Sequence, residues 1–183
     1  MSGRADSRGL RILSEDDVRR SVDMTAAIGA VRRAFERLSS GRAQVPVRHA
    51  LTGEGGDVLF VPGRLDGPAR IGAKAISVYP GNADRGLEPV NATMLLIDPE
   101  TGRARALLAG NHLTAVRTGA GEFSAGEIHA EIGEVAAGDV PGRVRDDEIT
   151  FFKSVGNVVQ DLAVGALALE SARERGLGTR APL

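Results

Sequence analysis

The sequence predicts an α+β domain: a mostly antiparallel sheet with flanking helices. Three observations carry that expectation. Apolar residues first recur every three to four positions, as in amphipathic helices. From Val45 to Leu108 the pattern alternates with period two and is punctuated by proline- and glycine-rich turns. Helical spacing then returns in the last third of the chain. The order is helices, strands, helices, and not the strand–helix alternation of a parallel array.

The elements follow in order. Ser14 before Glu15-Asp16-Asp17 makes an N-cap with an acidic first turn, so a short helix begins there. Asp23 caps a longer helix in which Met24, Ala27, Ile28, Val31, Phe35 and Leu38 share a face, and Gly41 ends it. Val45 to Leu51 reads as a strand. Gly53-Glu54-Gly55-Gly56 is a turn, and Asp57 to Val61 is the hairpin partner, stopped by Pro62-Gly63. Ala69 to Tyr79 and Val90 to Ile97 read as longer strands. Asp98-Pro99-Glu100-Thr101-Gly102 is a β-turn leading into Arg103 to Leu108. Asn111 caps an expected helix carrying Leu113, Val116 and Arg117. Ile128, Ile132 and Val135 return to helical spacing as far as Gly138. Ile149 to Lys153 is a short strand. A last helix runs from Gly156 to about Arg175, with Val158, Val159, Leu162, Ala166 and Leu169 inward and Gly176 and Gly178 as stops. Residues 1–10, polar and rich in Gly, Ser and Arg, read as a loose tail.

Composition narrows the function classes. A length of 183 residues suits a single domain. The net charge of −1 gives no basic face for nucleic acid or an anionic membrane. The absence of cysteine removes disulfides, thiolate nucleophiles and thiolate metal sites. No apolar run approaches the roughly 20 residues that cross a bilayer. The first ten residues lack the apolar segment of a signal peptide, so a cytoplasmic protein is expected. Only Lys74 and Lys153 among 23 basic residues are lysine. A lysine surviving against that arginine excess marks a place for a compact ammonium.

Several motifs fall away on context. Gly119-x-Gly121-x-x-Ser124 and Gly176-x-Gly178-x-x-Ala181 imitate a dinucleotide fingerprint, but neither lies between a strand and a helix. His49, His112 and His129 have no ligand spacing, so no metal is expected. Asp146-Asp147-Glu148 reads as a solvated loop. Three cations are harder to dismiss. Arg48 and Lys74 sit within strand-patterned sequence, and Arg117 lies among Leu113, Ala115 and Val116. A charge inside an apolar element costs free energy unless it meets an anion or reaches water. Arginine grips a carboxylate bidentately, and lysine adds a point charge or a proton. Together they predict a small-carboxylate site, with Lys74 as the catalytic candidate.

Val45-Pro46-x-Arg48, Gly72-x-Lys74, Asp98-x-x-Thr101-Gly102 and Leu113-Thr114-Ala115-Val116-Arg117-Thr118 resemble the ornithine cyclodeaminase/mu-crystallin family. So do Pro141-Gly142-Arg143, Asp146-Asp147-Glu148-Ile149-Thr150, Lys153-Ser154-Val155-Gly156 and Gln160-Asp161. The resemblance implies NAD(P)-linked chemistry on α-amino or α-imino acids. It also implies a substrate-binding, dimer-forming domain built from both chain ends, with a Rossmann domain inserted between them. It assigns Arg48, Lys74, Arg117 and Val155 to the substrate and Thr118 and Ser154 to the neighbourhood of the cofactor. Here Thr118 is followed almost at once by Glu122-Phe123, so the inserted domain is expected to be missing. Segments 11–118 and about 122–183 would then join at Gly119–Gly121 as one domain. Ornithine-using members carry a glutamate near Leu59. An apolar residue there cannot hold a distal ammonium and disfavours ornithine.

These readings predict a homodimer that holds a small α-amino, α-imino or α-keto carboxylate, with no cofactor bound by the chain alone. One alternative is an amino-acid cyclodeaminase, dehydrogenase or ketimine reductase completed by a cofactor domain in trans. Another is a non-catalytic dimeric interaction module.

Overall fold

The computed structural model describes residues 9–66, 70–111, 129–130, 132–148 and 156–182. Helix α1 (Glu15–Ser21) opens with a reciprocal capping box. The Ser14 hydroxyl accepts from the Asp17 amide at 3.2 Å, and the Asp17 carboxylate accepts from the Ser14 amide at 3.0 Å. Helix α2 (Met24–Ser39) starts where Asp23 accepts from the Ala26 amide at 2.8 Å. Its buried face is Ala30, Ala34 and Phe35, while Ile28, expected inward, is exposed. The small residues let neighbouring helices come close. Helix α3 (Ile132–Ala137) lays Gly133 against the Phe35 carbonyl, a position with no space for a Cβ.

The strands are β1 (Leu10–Leu13), β2 (Ala43–Gln44), β3 (His49–Gly53), β4 (Gly56–Leu65), β5 (Arg70–Val78), β6 (Val90–Ile97), β7 (Ala104–Ala109) and β8 (Thr179–Ala181). A 3₁₀ turn over Pro80–Arg85 links β5 to β6. The sheet order is β2-β4-β5-β6-β7-β1-β8, with β3 also on β4. Among the described strands every pairing is antiparallel except β1 with β7. The α+β class with a mostly antiparallel sheet therefore holds.

Helix α4 (Val158–Glu174) crosses one face of the sheet, with Asn157 and Gln160 forming its capping box. Val158, Val159, Leu162 and Leu169 are buried, and Ala166 is half-buried. They meet Leu13, Leu65, Met94, Leu96 and Leu108 in one core. Two glycines set how close the helix comes. A Cβ on Gly63 would collide with Val158, and one on Gly72 would press on the Leu95 carbonyl and on Leu162 at 3.0 Å. The other face carries Leu51, 64% exposed, and Phe60, 42% exposed.

Four sequence expectations change. The strand read from Val45 to Leu51 is split, and residues 45–48 lie outside any strand. Pro46 has no N–H to donate and restricts Val45. The strand said to stop at Pro62-Gly63 continues to Leu65, because β5 pairs along its whole length. Pro62 is tolerated because the chain across from it, residues 45–48, is not strand. Finally, β1 begins at Leu10, the last residue assigned to the tail, and the residues after α4 form β8, which pairs with it. Arg11 secures that junction. Its guanidinium is buried and donates to the carbonyls of Ala172, at 3.4 Å, and Leu177 at the end of α4. The expected helix after Asn111, the joint at Gly119–Gly121 and the strand Ile149–Lys153 lie outside the described residues.

Two predictions follow from this packing. Gly63→Ala places a methyl against Val158 of α4 and lowers stability by about 1–3 kcal/mol, measured by urea unfolding; unchanged stability contradicts the close approach of α4. The second concerns acid. The Ser14 hydroxyl lowers the Asp17 pKa, and the Thr101 and Glu100 amides lower that of Asp98. A carboxyl depressed in the folded state stabilises above its ordinary value of 3.8, and that stability is lost as pH falls through the lowered value. Asp98→Asn should flatten the fall in urea midpoint below about pH 4; an unaltered slope argues against the assignment.

Candidate functional site

Lys74 is the largest fully buried side chain among the described residues, at 1% exposure. It lies in the middle of β5, opposite Val61 of β4 and Met94 of β6, on the face that α4 covers. The neighbours along that face explain how it fits. Gly63 and Gly72 bring α4 down onto the sheet, and the first turns of α4 then reach the ammonium. Asp161 meets it there, itself 2% exposed, and Lys74 Nζ donates to Asp161 Oδ1 at 3.2 Å. The low-dielectric surroundings strengthen this attraction, but they also make both charges costly to bury.

The pair borders a cavity of about 50 Å³, lined by Arg48, Leu59, Val61, Lys74, Ile76, Gly156, Val158 and Asp161. That is space for a few water molecules, the scale of a small organic acid and far below that of a dinucleotide. One side is charged, from Lys74 and Asp161 inside to Arg48, which is exposed. The rest is aliphatic. Arg48 was expected within a strand. It lies instead in the segment that Pro46 keeps free of pairing, just before β3, and so it edges the cavity and does not point from a ladder.

Of the sequence-predicted cations, the structure brings Arg48 and Lys74 to one cavity. Arg117, Val155, Thr118 and Ser154 lie outside the described residues. Leu59 lines the cavity, as the argument against a distal ammonium requires. Sequence reasoning missed Asp161 as a site residue. The signal was available: Asp161 stands three positions after Val158 and one before Leu162, on the inward stripe of the helix. An acid on a buried stripe, in a chain with a lysine on a buried strand, is a pair waiting to be matched.

Other groups are quieter. Among the described residues no cluster of acids and histidines has metal-binding geometry. His129 Nε2 lies 2.9 Å from the Pro141 carbonyl, and His49 is exposed. Asp147 pairs with Arg145 at 3.0 Å in an exposed loop. A larger cavity, of about 440 Å³, lies between the end of α2 and α3. Its Arg32 bonds Glu36 at 3.0 Å and the Ala136 carbonyl at 2.8 Å, so those two charges are engaged locally. Gly176-x-Gly178-x-x-Ala181 follows a helix and feeds an edge strand, the reverse of a nucleotide turn. That segment therefore does not fit a dinucleotide fingerprint.

The buried pair makes a stability prediction. Removing Asp161 alone, as Asp161→Ala, leaves an uncompensated buried ammonium and costs about 3–5 kcal/mol, whereas Lys74→Met with Asp161→Leu costs far less. Urea unfolding of the three proteins measures this. Equal losses in the single and double variants contradict a buried ion pair.

Comparison with known proteins places the chain. The sequence profile of the ornithine cyclodeaminase/mu-crystallin family matches residues 10–125 and 121–176. Alanine dehydrogenase of Archaeoglobus fulgidus is 39% identical over 109 residues, which are 60% of this chain and 33% of that enzyme. The aligned stretch thus spans about a third of this curated relative. An archaeal alanine dehydrogenase dimer with bound NAD superposes with a TM-score of 0.85 at 21% identity, covering 95% of this chain and 99% of that one. Thermococcus litoralis Δ1-pyrroline-2-carboxylate reductase, solved with NADH and L-proline, gives 0.84 at 23% identity, covering 94% and 100%. At these identities the superpositions speak for the fold. No described helix is long and apolar enough to cross a membrane. With its profile match spanning both halves, the chain belongs to the ornithine cyclodeaminase/mu-crystallin family.

Proposed function

We propose that this chain holds a small α-keto, α-imino or α-amino monocarboxylate in the Lys74 cavity, with Lys74 and Arg48 facing the carboxylate and Arg117 completing the grip. The observation that carries this reading is Lys74 itself: an ammonium at 1% exposure on the wall of a small cavity, with Arg48 at its edge. Two cations against one acid leave a single surplus positive charge among the described lining residues. One carboxylate balances it. The aliphatic walls of Leu59, Val61, Ile76 and Val158 favour a short apolar remainder and penalise a second carboxylate or a distal ammonium. The two superposed enzymes, named for alanine and for a pyrroline carboxylate, handle ligands of that size.

In this reading residues 11–183 form one substrate-binding domain, assembled from the family's two outer segments, with Val155 beside the substrate. Hydride transfer needs a nicotinamide fixed against the substrate carbon. The chain is then a binding protein on its own and an oxidoreductase only when another polypeptide supplies the cofactor, with Thr118 and Ser154 at the junction. The exposed Leu51 and Phe60 on the sheet face away from α4 support burial against a second copy.

Calorimetric titration tests the site. Pyruvate should bind the parent chain, at least about tenfold more weakly to Arg48→Ala, which loses a charge-assisted contact. Oxaloacetate should bind less tightly than pyruvate. No heat from pyruvate, proline or alanine with the parent chain defeats the proposal. NADH oxidation by the chain alone, with any of these acids' keto or imino forms, defeats the division of labour.

A further inference from the structure

We infer that Asp161 is a positioning residue: it holds the buried Lys74 ammonium charged and aimed at the carboxylate, so that ligand capture depends on the seating of α4. The inference deepens the carboxylate reading and rests on it. β4 presents Leu59 and Val61, β6 presents Met94, and α4 presents Val158 and Leu162 beside Asp161. The segment before β3 contributes Arg48. Burial among aliphatic groups favours the neutral amine, and the nearby guanidinium pushes the same way. Asp161, at 3.2 Å, is the acid among the described residues lining the cavity, and it favours the ammonium.

The same bond fixes direction. A lysine side chain has four rotatable bonds, and its charge is useful to a ligand only in one place. Asp161 takes one of the three ammonium protons and leaves the others to be shared with neighbours and with a carboxylate entering past Arg48. Asp161 is itself held by the first turns of α4, whose cap is closed by Asn157 and Gln160. Gly156, just before that cap, lines the cavity. Seating of the helix and readiness of the ammonium are therefore one event.

The chain contains only two lysines, Lys74 and Lys153, so the ammonium can be followed directly. The full chain and Asp161→Asn, each carrying ¹³C-labelled lysine, are titrated by NMR, with pyruvate calorimetry on the same samples. Pyruvate stays ionised throughout. In the parent, Lys74 should stay protonated from about pH 6 to pH 9, with pyruvate affinity changing less than about threefold. In Asp161→Asn, Lys74 should lose its proton within that range, and affinity should fall at least about tenfold as the pH rises. A purely structural role for Asp161 leaves the pH profile unmoved. Pyruvate binding with matching Lys74 titrations in both proteins overturns the role of Asp161 alone. Absence of pyruvate binding from the parent overturns the carboxylate reading and this role with it. If Asp161→Asn does not fold, the parent and Asp161→Glu decide. A Lys74 that deprotonates below about pH 9 in the parent overturns the inference, and one that stays charged in both proteins with pyruvate bound sustains it.

Discussion

An ammonium group buried in the middle of a sheet has to be answered, and in this protein the answer comes from a helix more than eighty residues further along the chain. The bond between Lys74 and Asp161 joins β5 to α4 across the core. Nonpolar packing alone would hold the same two elements together, as Leu162 against Gly72 and Val158 against Gly63 show. The ion pair adds something packing cannot: it sets the rotation and register of the helix, because a one-residue slip would leave both charges unmatched. The cost of burying two charges is accepted where the sheet borders a cavity.

The glycines and the pair act together. Without side chains at positions 63 and 72 the helix comes close enough for an aspartate to reach Lys74. With larger residues there, the helix would stand off and the ammonium would face a gap. Arg48 depends on a different local fact. Pro46 interrupts pairing to β4 between β2 and β3, and the unpaired segment brings the guanidinium to the edge of the cavity. Close packing, a broken strand and a buried pair thus produce one small polar pocket in an aliphatic wall.

Much of this was legible in the sequence, and the failures have physical causes. Asp23 and Ser14 made helix starts readable because capping is local chemistry. The hairpin at Asp98 to Gly102 was readable for the same reason. Lys74 stood out because a charge within Ile71-Gly72-Ala73 and Ala75-Ile76 contradicts the period of the strand. β1 and β8 escaped because each is short and is ordered by distant partners: β8 pairs with β1, and β1 also pairs with β7. Pro62 misled because a proline stops a strand only where its missing N–H is needed. Asp161 escaped for a related reason. Its meaning lies in Lys74, 87 positions away, and the spacing of α4 alone does not reveal the match.

If the Lys74 cavity is a carboxylate site, a small keto acid should be found in it. A crystal structure of the full chain grown with pyruvate tests it most directly. The account predicts the pyruvate carboxylate within hydrogen-bonding distance of Lys74 Nζ and the Arg48 guanidinium, with the Asp161 bond to Lys74 retained. Pyruvate bound elsewhere, or an unchanged cavity at saturating pyruvate, would contradict it.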